Sequence, residues 1–167
     1  MITNEQLQTE RTTIRSELMD AQTRPIGTRP GAWSPGQVFE HILLTEQSVV
    51  ALLRRMEQKA GQPVDRPAGG PWPVRDQFLE DFGAGVMEEP AFRGTDPDQA
   101  MDLSALQSLS ETNGAALEEL MLRADSSDLS SASFPHPLVG RMNFYEWLVF
   151  LVAHERLHVE HLRGDLT

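Results

Sequence analysis

The 167-residue chain contains no cysteine. Disulfide frameworks, thiolate zinc sites, iron–sulfur clusters and cysteine nucleophiles are therefore excluded. Positive charge is scarce: 14 Lys and Arg stand against 25 Asp and Glu, a net charge of −11. A field of that sign repels phosphate backbones and anionic lipid headgroups, so neither nucleic acid nor a membrane surface is an expected partner. No apolar run approaches the length that a bilayer requires. The opening residues Met1 to Gln6 lack the charged-then-apolar pattern of a signal peptide. A soluble, cytoplasmic protein is expected. What is present is an ordinary globular composition, 40% hydrophobic and 23% charged. Residues 1–167 suit a single domain with a core that needs no staples.

Four segments carry helical periodicity. Thr3 and Gln6 form a capping box ahead of a helix over about Asn4–Thr23, with Leu7, Ile14, Leu18 and Ala21 as its apolar stripe. Arg24-Pro25 should end it, because the residue before proline disfavours the helical basin. Ser34-Pro35-Gly36-Gln37 is the clearest start signal: a capping serine, proline at the first helical position, and Gln closing the box. That helix should reach about Gln58, and its apolar face (Val38, Phe39, Ile42, Leu43, Thr45, Val49, Val50, Leu52, Leu53, Met56) is wide enough to meet more than one neighbour. A third helix spans roughly Leu103–Arg123, capped by Asp102 or Ser104. A fourth starts at Asn143, with Glu146 completing another box, and stops at Gly164. Trp147, Phe150, Leu151, His154, His158 and Leu162 share its inner face. Glu146, Glu155, Arg156, Glu160 and Arg163 are assigned to the remainder.

Between the second and third helices lies a long Gly- and Pro-rich connection, residues 59–101, with a short helical element near Val74–Phe82. Residues 125–142 form a Ser-rich connector. No segment reads as a convincing strand, so the expected class is all-α: a four-helix bundle with a long connection between the second and third long helices.

Three of the five histidines fall in the stretch His154-Glu155-Arg156-Leu157-His158-Val159-Glu160-His161. Positions four apart stack on one helix face, so His154 and His158 can converge on one divalent ion from the apolar side. His41 lies on the buried face of the second helix and can supply a third imidazole. Three neutral nitrogen ligands leave a coordination position open, the arrangement of catalytic sites. The plainer alternative is a set of satisfied core histidines, at the cost of three polar groups in an apolar interior. His161 is two turns from His154, about 10.5 Å along the axis at 1.5 Å per residue. It is better placed to hydrogen-bond a ligand or substrate than to share the ion. Pairing His158 with His161 is the lower-ranked choice.

The order of these signals resembles the DinB/YfiT-like superfamily (DinB_2 type) of candidate metalloenzymes. The resemblance rests on Trp33-Ser34 opening a helix, Glu40-His41 further along it, His136-Pro137 followed by Gly140, Trp147 on the last helix, and His154 to His158 near the C-terminus. It covers nearly the whole chain. It implies a four-helix bundle and a divalent metal held by His41, His154 and His158. The family often carries Gln three residues after the last ligand, where this chain has His161. That departure retunes the surroundings of the ion or supplies an extra acid or base.

A bound cation lowers the pKa of a coordinated water or thiol. By resemblance, the first expectation is a transferase that uses a low-molecular-weight thiol such as bacillithiol, mycothiol or glutathione, attacking an electrophile through a metal-activated thiolate. His161 and Glu40 are the candidates for assisting proton transfer, although Glu40 also reads as a solvated or structural carboxylate. The alternatives are a hydrolase using hydroxide generated at the metal, and a non-catalytic metal-binding stress-response module. Zinc or nickel suits the imidazole set best, with iron or manganese also admissible. His136 reads as a residue capping or covering the end of the fourth helix, with a contact near the site as the functional alternative. Trp33 and Trp147 read as core anchors, and Trp72 as a residue that could line an entrance. Arg54, Arg55 and Lys59 suit a helix C-terminus, and the acidic residues Glu88, Glu89, Asp96, Asp98 and Asp102 suit a solvated loop. A homodimer is expected on the general ground that wide apolar faces pair.

Overall fold

The computed structural model describes residues 1–23, 33–60, 64–78, 95, 97, 101–137 and 139–164. Four long helices dominate it: α1 (Asn4–Thr23), α2 (Pro35–Lys59), α3 (Leu103–Ser126) and α4 (Phe144–Arg163). All four starts carry side-chain caps. At Ser34 and at Asn143 both arms of the capping box are made, and Asp102 accepts the Ala105 N–H ahead of α3. Each cap satisfies backbone donors that a helix start leaves orphaned, worth about 1 kcal/mol. The Thr3–Gln6 box precedes α1, with the Thr3 N–H donating to Gln6 Oε1 at 3.0 Å. Gly164, at φ 73°, closes α4 in the left-handed region that favours glycine.

The bundle is built around α2, which packs against both α3 and α4, while α1 lies mainly on α4. Ile14, Leu18, Phe39, Ile42, Leu43, Leu53, Leu117 and Trp147 are fully buried between them. Each such side chain stabilises the fold by roughly 1.5–3 kcal/mol. No described helix is long and apolar enough to cross a membrane.

Short strands appear where none were expected. β1 (Val64–Asp65) pairs antiparallel with β2 (Ser127–Asp128), and β3 (Ser133–His136) pairs with β4 (Gly140–Asn143). The Ser-rich connector is thus a hairpin, with Gly140 at φ 76° where its second strand begins. Tyr145 anchors this region to α4: its hydroxyl donates to the Ser127 carbonyl and accepts the Leu129 N–H. Residues 76–78 are helical. Val74 and Arg75, at the start of the element expected at Val74–Phe82, are not helical. Residues 79–82 lie outside the described residues, as do Arg24-Pro25, Glu88, Glu89, Asp96 and Asp98.

Three expectations about burial are corrected. Trp72 does not line an entrance; it is buried against Tyr145, with ring centroids 5.4 Å apart. Glu146 and Glu155, assigned to the outer side of α4, are both fully buried. Glu146 accepts the Arg75 backbone N–H and pairs with the Arg75 guanidinium, tying residues 73–75 to the start of α4. Glu155 belongs to a polar cluster drawn from all four helices. Glu46 of α2 accepts from Arg11 (3.0 Å), from Arg15 and from Asn113 Nδ2 of α3 (3.0 Å), and Arg11 lies 4.0 Å from Glu155. Burial works to raise Glu46, but Arg15 and Arg11 outweigh it and hold the carboxylate below its usual range. Burial, and then the charge of Glu46, push Glu155 up to about 8. At neutral pH Glu46 carries the charge and Glu155 is mostly protonated.

Candidate metal centre

His41 comes from α2, two turns beyond the Ser34 cap, and His154 and His158 come from α4, one turn apart. Both helix starts are fixed by complete boxes, and the two helices pack directly against each other. The three rings form one contact group. Centroid separations are 4.5 Å for His154–His158, 4.7 Å for His41–His158 and 5.3 Å for His41–His154. One ligand nitrogen from each ring lies within 4.8 Å of the other two. His41 and His154 are buried and His158 is partly exposed, so the group reaches towards solvent at His158.

The protonation pattern suits a ligand set. The His41 Nδ1 is 2.8 Å from the Thr95 carbonyl. A carbonyl only accepts, so Nδ1 carries the hydrogen and Nε2 is the lone-pair nitrogen of the neutral ring. Nε2 of His154 and Nε2 of His158 face each other at 3.1 Å. Two imidazoles on one ion, with bonds of about 2.0–2.1 Å, hold their nitrogens roughly 2.9–3.4 Å apart for angles between right and tetrahedral. Burial, followed by its histidine neighbours, drives His154 well below the usual histidine value. Burial, then His41 and His161, push His158 down to about 3. The α4 pair is therefore neutral at physiological pH, which is the form that binds a metal. The His154 Nδ1 is buried without a hydrogen-bond partner among the described residues.

Around the group, Trp33 lies 4.8 Å from His41 and stacks at 6.3 Å over His158. Trp33 packs against the core as expected, but its contact with two of the site's rings was not read from the sequence. Its position one residue before the Ser34 cap was the available signal. Phe150 stacks on His154 from below, at 6.0 Å. His136 is buried against Phe150 and Trp147, at 4.8 and 5.5 Å, and its Nδ1 accepts the Val139 N–H. It also contributes to lowering His154. His136 thus covers the α4 rings that support the site and stays outside the three-nitrogen group.

His161 is exposed on the last turn of α4, with its ring 6.1 Å from His158. The closer α4 pair is His154 with His158, not His158 with His161. Glu40 is buried, and its carboxylate accepts the Met101 backbone N–H at 3.0 Å. The Thr95 carbonyl was beyond sequence reasoning, because a main-chain acceptor carries no residue-type signature.

A comparison with curated proteins finds no match. The solved structure of TT2238, a four-helix bundle protein, is similar with a TM-score of 0.61 at 22% identity, over 97% of this chain and 99% of that one. At that identity the likeness establishes the fold. Residues 2–162 match the family model DinB_2, described as the DinB superfamily. With that match running through both helices that carry the three histidines, the chain belongs to the DinB superfamily.

Proposed function

We propose that this protein is a divalent-metal-dependent enzyme, and specifically a transferase that uses a low-molecular-weight thiol. The observation that carries the reading is the three-imidazole group of His41, His154 and His158, one ligand nitrogen from each within 4.8 Å of the others. Those residues would hold the ion, zinc or nickel best matching the ligands. When bound, a cation of this kind lowers the pKa of a thiol, making thiolate available near neutral pH.

The chain's own residues supply the rest. Burial keeps His154 and His158 neutral, so protons do not compete for the ligand nitrogens at pH 7. The Thr95 carbonyl fixes the His41 ring. Trp33 presents an apolar, π-rich wall beside His41 and His158, suited to an organic electrophile. His161, exposed with its ring 6.1 Å from that of His158, would accept the thiol proton or return one to the product. The net charge of −11 favours a small molecule over a polyanion as substrate. The reading includes action in the cytoplasm, as a homodimer.

The test is turnover by metal-loaded protein of a chromogenic electrophile with bacillithiol, mycothiol or glutathione. Thiol-dependent conversion that disappears in His154→Ala supports the reading. Thiol-independent cleavage of ester substrates would replace it with the hydrolase. Tight metal binding with neither activity would replace it with a non-catalytic metal-binding module.

A further inference from the structure

The three imidazoles of the site differ in access. His41 and His154 are 1% and 6% exposed, while His158 is only partly buried. An ion arriving from solvent therefore meets His158 before either of the other two rings. His158 is also the hub of the group, with its ring 4.5 Å from that of His154 and 4.7 Å from that of His41. One helical turn further along α4, the exposed His161 places its ring 6.1 Å from that of His158. Residues three apart on a helix are neighbours on its surface. Four imidazoles thus run from the surface into the core, in the order His161, His158, then His41 and His154.

The spacing separates His161 from the resident set. Within the site, ring centroids are 4.5 to 5.3 Å apart, and His161 lies beyond that range from its neighbour. Its exposure gives it what the buried rings lack. An exposed side chain changes rotamer in picoseconds to nanoseconds, so it can turn to meet a hydrated ion. A divalent ion entering a buried site must exchange bound waters for nitrogens, and a charge taken into an apolar interior before it is ligated is costly. An imidazole at the rim replaces water before the ion is enclosed. The arginines of the same stretch are held by acidic partners on α1: Arg156 by Glu10 and Glu17, and Arg163 by Glu17. The net charge of −11 draws cations to the surface as a whole.

We propose that His161 is the metal-entry residue: with His158 it captures the divalent ion at the surface, passes it to the resident set of His41, His154 and His158, and then leaves the ion. The inference rests on the metal reading of the site. It gives His161 a role in loading, separate from proton transfer. A residue that ligates during passage and not at the end lowers the barrier in both directions. It speeds uptake and release alike and leaves the equilibrium affinity unchanged. A resident ligand would instead slow release and raise affinity.

The experiment compares metal-free wild type, His161→Ala and His161→Gln, with zinc alone as the probe. Stopped-flow mixing gives the uptake rate. Transfer to a chromophoric chelator, extrapolated to zero chelator, gives the release rate. Equilibrium competition with the same chelator gives the affinity. In H161A both rates are expected to fall together by about tenfold, the loss of one ligand's help at the barrier. Its affinity is expected within about twofold of wild type. H161Q keeps a polar side chain without the imidazole and is expected to match H161A. Wild-type rates in H161A overturn the proposal. So does weaker affinity with faster release, which would make His161 a resident ligand. So does H161Q at wild-type rates, which would assign the effect to polarity and not to ligation. Wild type that takes up no zinc overturns the metal reading, and the proposal with it. Wild type that binds zinc at the same rates as both variants overturns the proposal alone.

Discussion

The Nε2 atoms of His154 and His158 face each other at 3.1 Å inside a bundle whose remaining core is largely apolar. Both rings are held neutral by burial and by neighbouring imidazoles. Stability of the metal-free protein should therefore depend on pH with a definite sign. His158 titrates at about 3 in the folded state against 6.5 in its ordinary state. The unfolded chain binds its proton first, so stability present above about 6.5 is lost as pH falls towards 3. Denaturant titrations from neutral to acidic pH should show wild type losing stability relative to His158→Gln over that window, at no more than about 1.4 kcal/mol per pH unit. A difference that does not change with pH would contradict the burial of a neutral ring.

Glu155 carries the opposite sign. Its folded value of about 8 lies above the ordinary 4.5, so its stability contribution is full below about 4.5 and is lost as pH rises through about 8. Glu155→Gln keeps the shape of the protonated carboxyl and removes the titration. Its stability relative to wild type should rise between about pH 5 and pH 8, again by at most about 1.4 kcal/mol per unit. The check is the same denaturant series run on the variant.

Glu46 holds the charge that Arg11 and Arg15 require. Glu46→Ala leaves the buried Arg11 and the half-buried Arg15 without the carboxylate they share and strips Asn113 of one acceptor. Breaking a buried pair from one side costs about 3–5 kcal/mol. Equilibrium unfolding should show a loss of that size, with a loss below about 1 kcal/mol as the contrary result.

Trp33 lies close enough to the site to report on it, 4.8 Å from the His41 ring. Binding of a paramagnetic ion such as nickel should quench tryptophan emission, and Trp33→Phe should remove most of that quenching. Trp72 is buried beside Tyr145 on other contacts. Quenching that survives unchanged in the variant would place the ion elsewhere.

The helices were legible because their punctuation is local. Ser34 with Gln37, and Asn143 with Glu146, announce both the helix start and the phase of the face behind it. Once those phases are fixed, His41, His154 and His158 point inward, so the three-histidine group could be read from spacing and resemblance before any coordinates. The polar cluster could not. Arg11 occupies a core position between Leu7 and Ile14, and Glu155 follows His154 on a helix nearly buried all round. A charged residue at such a position reads as exposed until its partners on other helices are known. The hairpin of β3 and β4 was missed for a related reason: its four-residue strands lie against α4, where the Trp147 Nε1–H donates to the Phe134 carbonyl, and carry no alternating pattern of their own. Thr95 acts through its backbone, which no sequence motif records.

The most direct measurement is the metal content of protein purified without an affinity tag, beside His154→Ala. About one divalent ion per chain in wild type, lost in the variant, is the expected result for three imidazoles on one site. No metal as purified, and no uptake on adding zinc or nickel, would contradict it and make the histidine group a structural feature of the bundle.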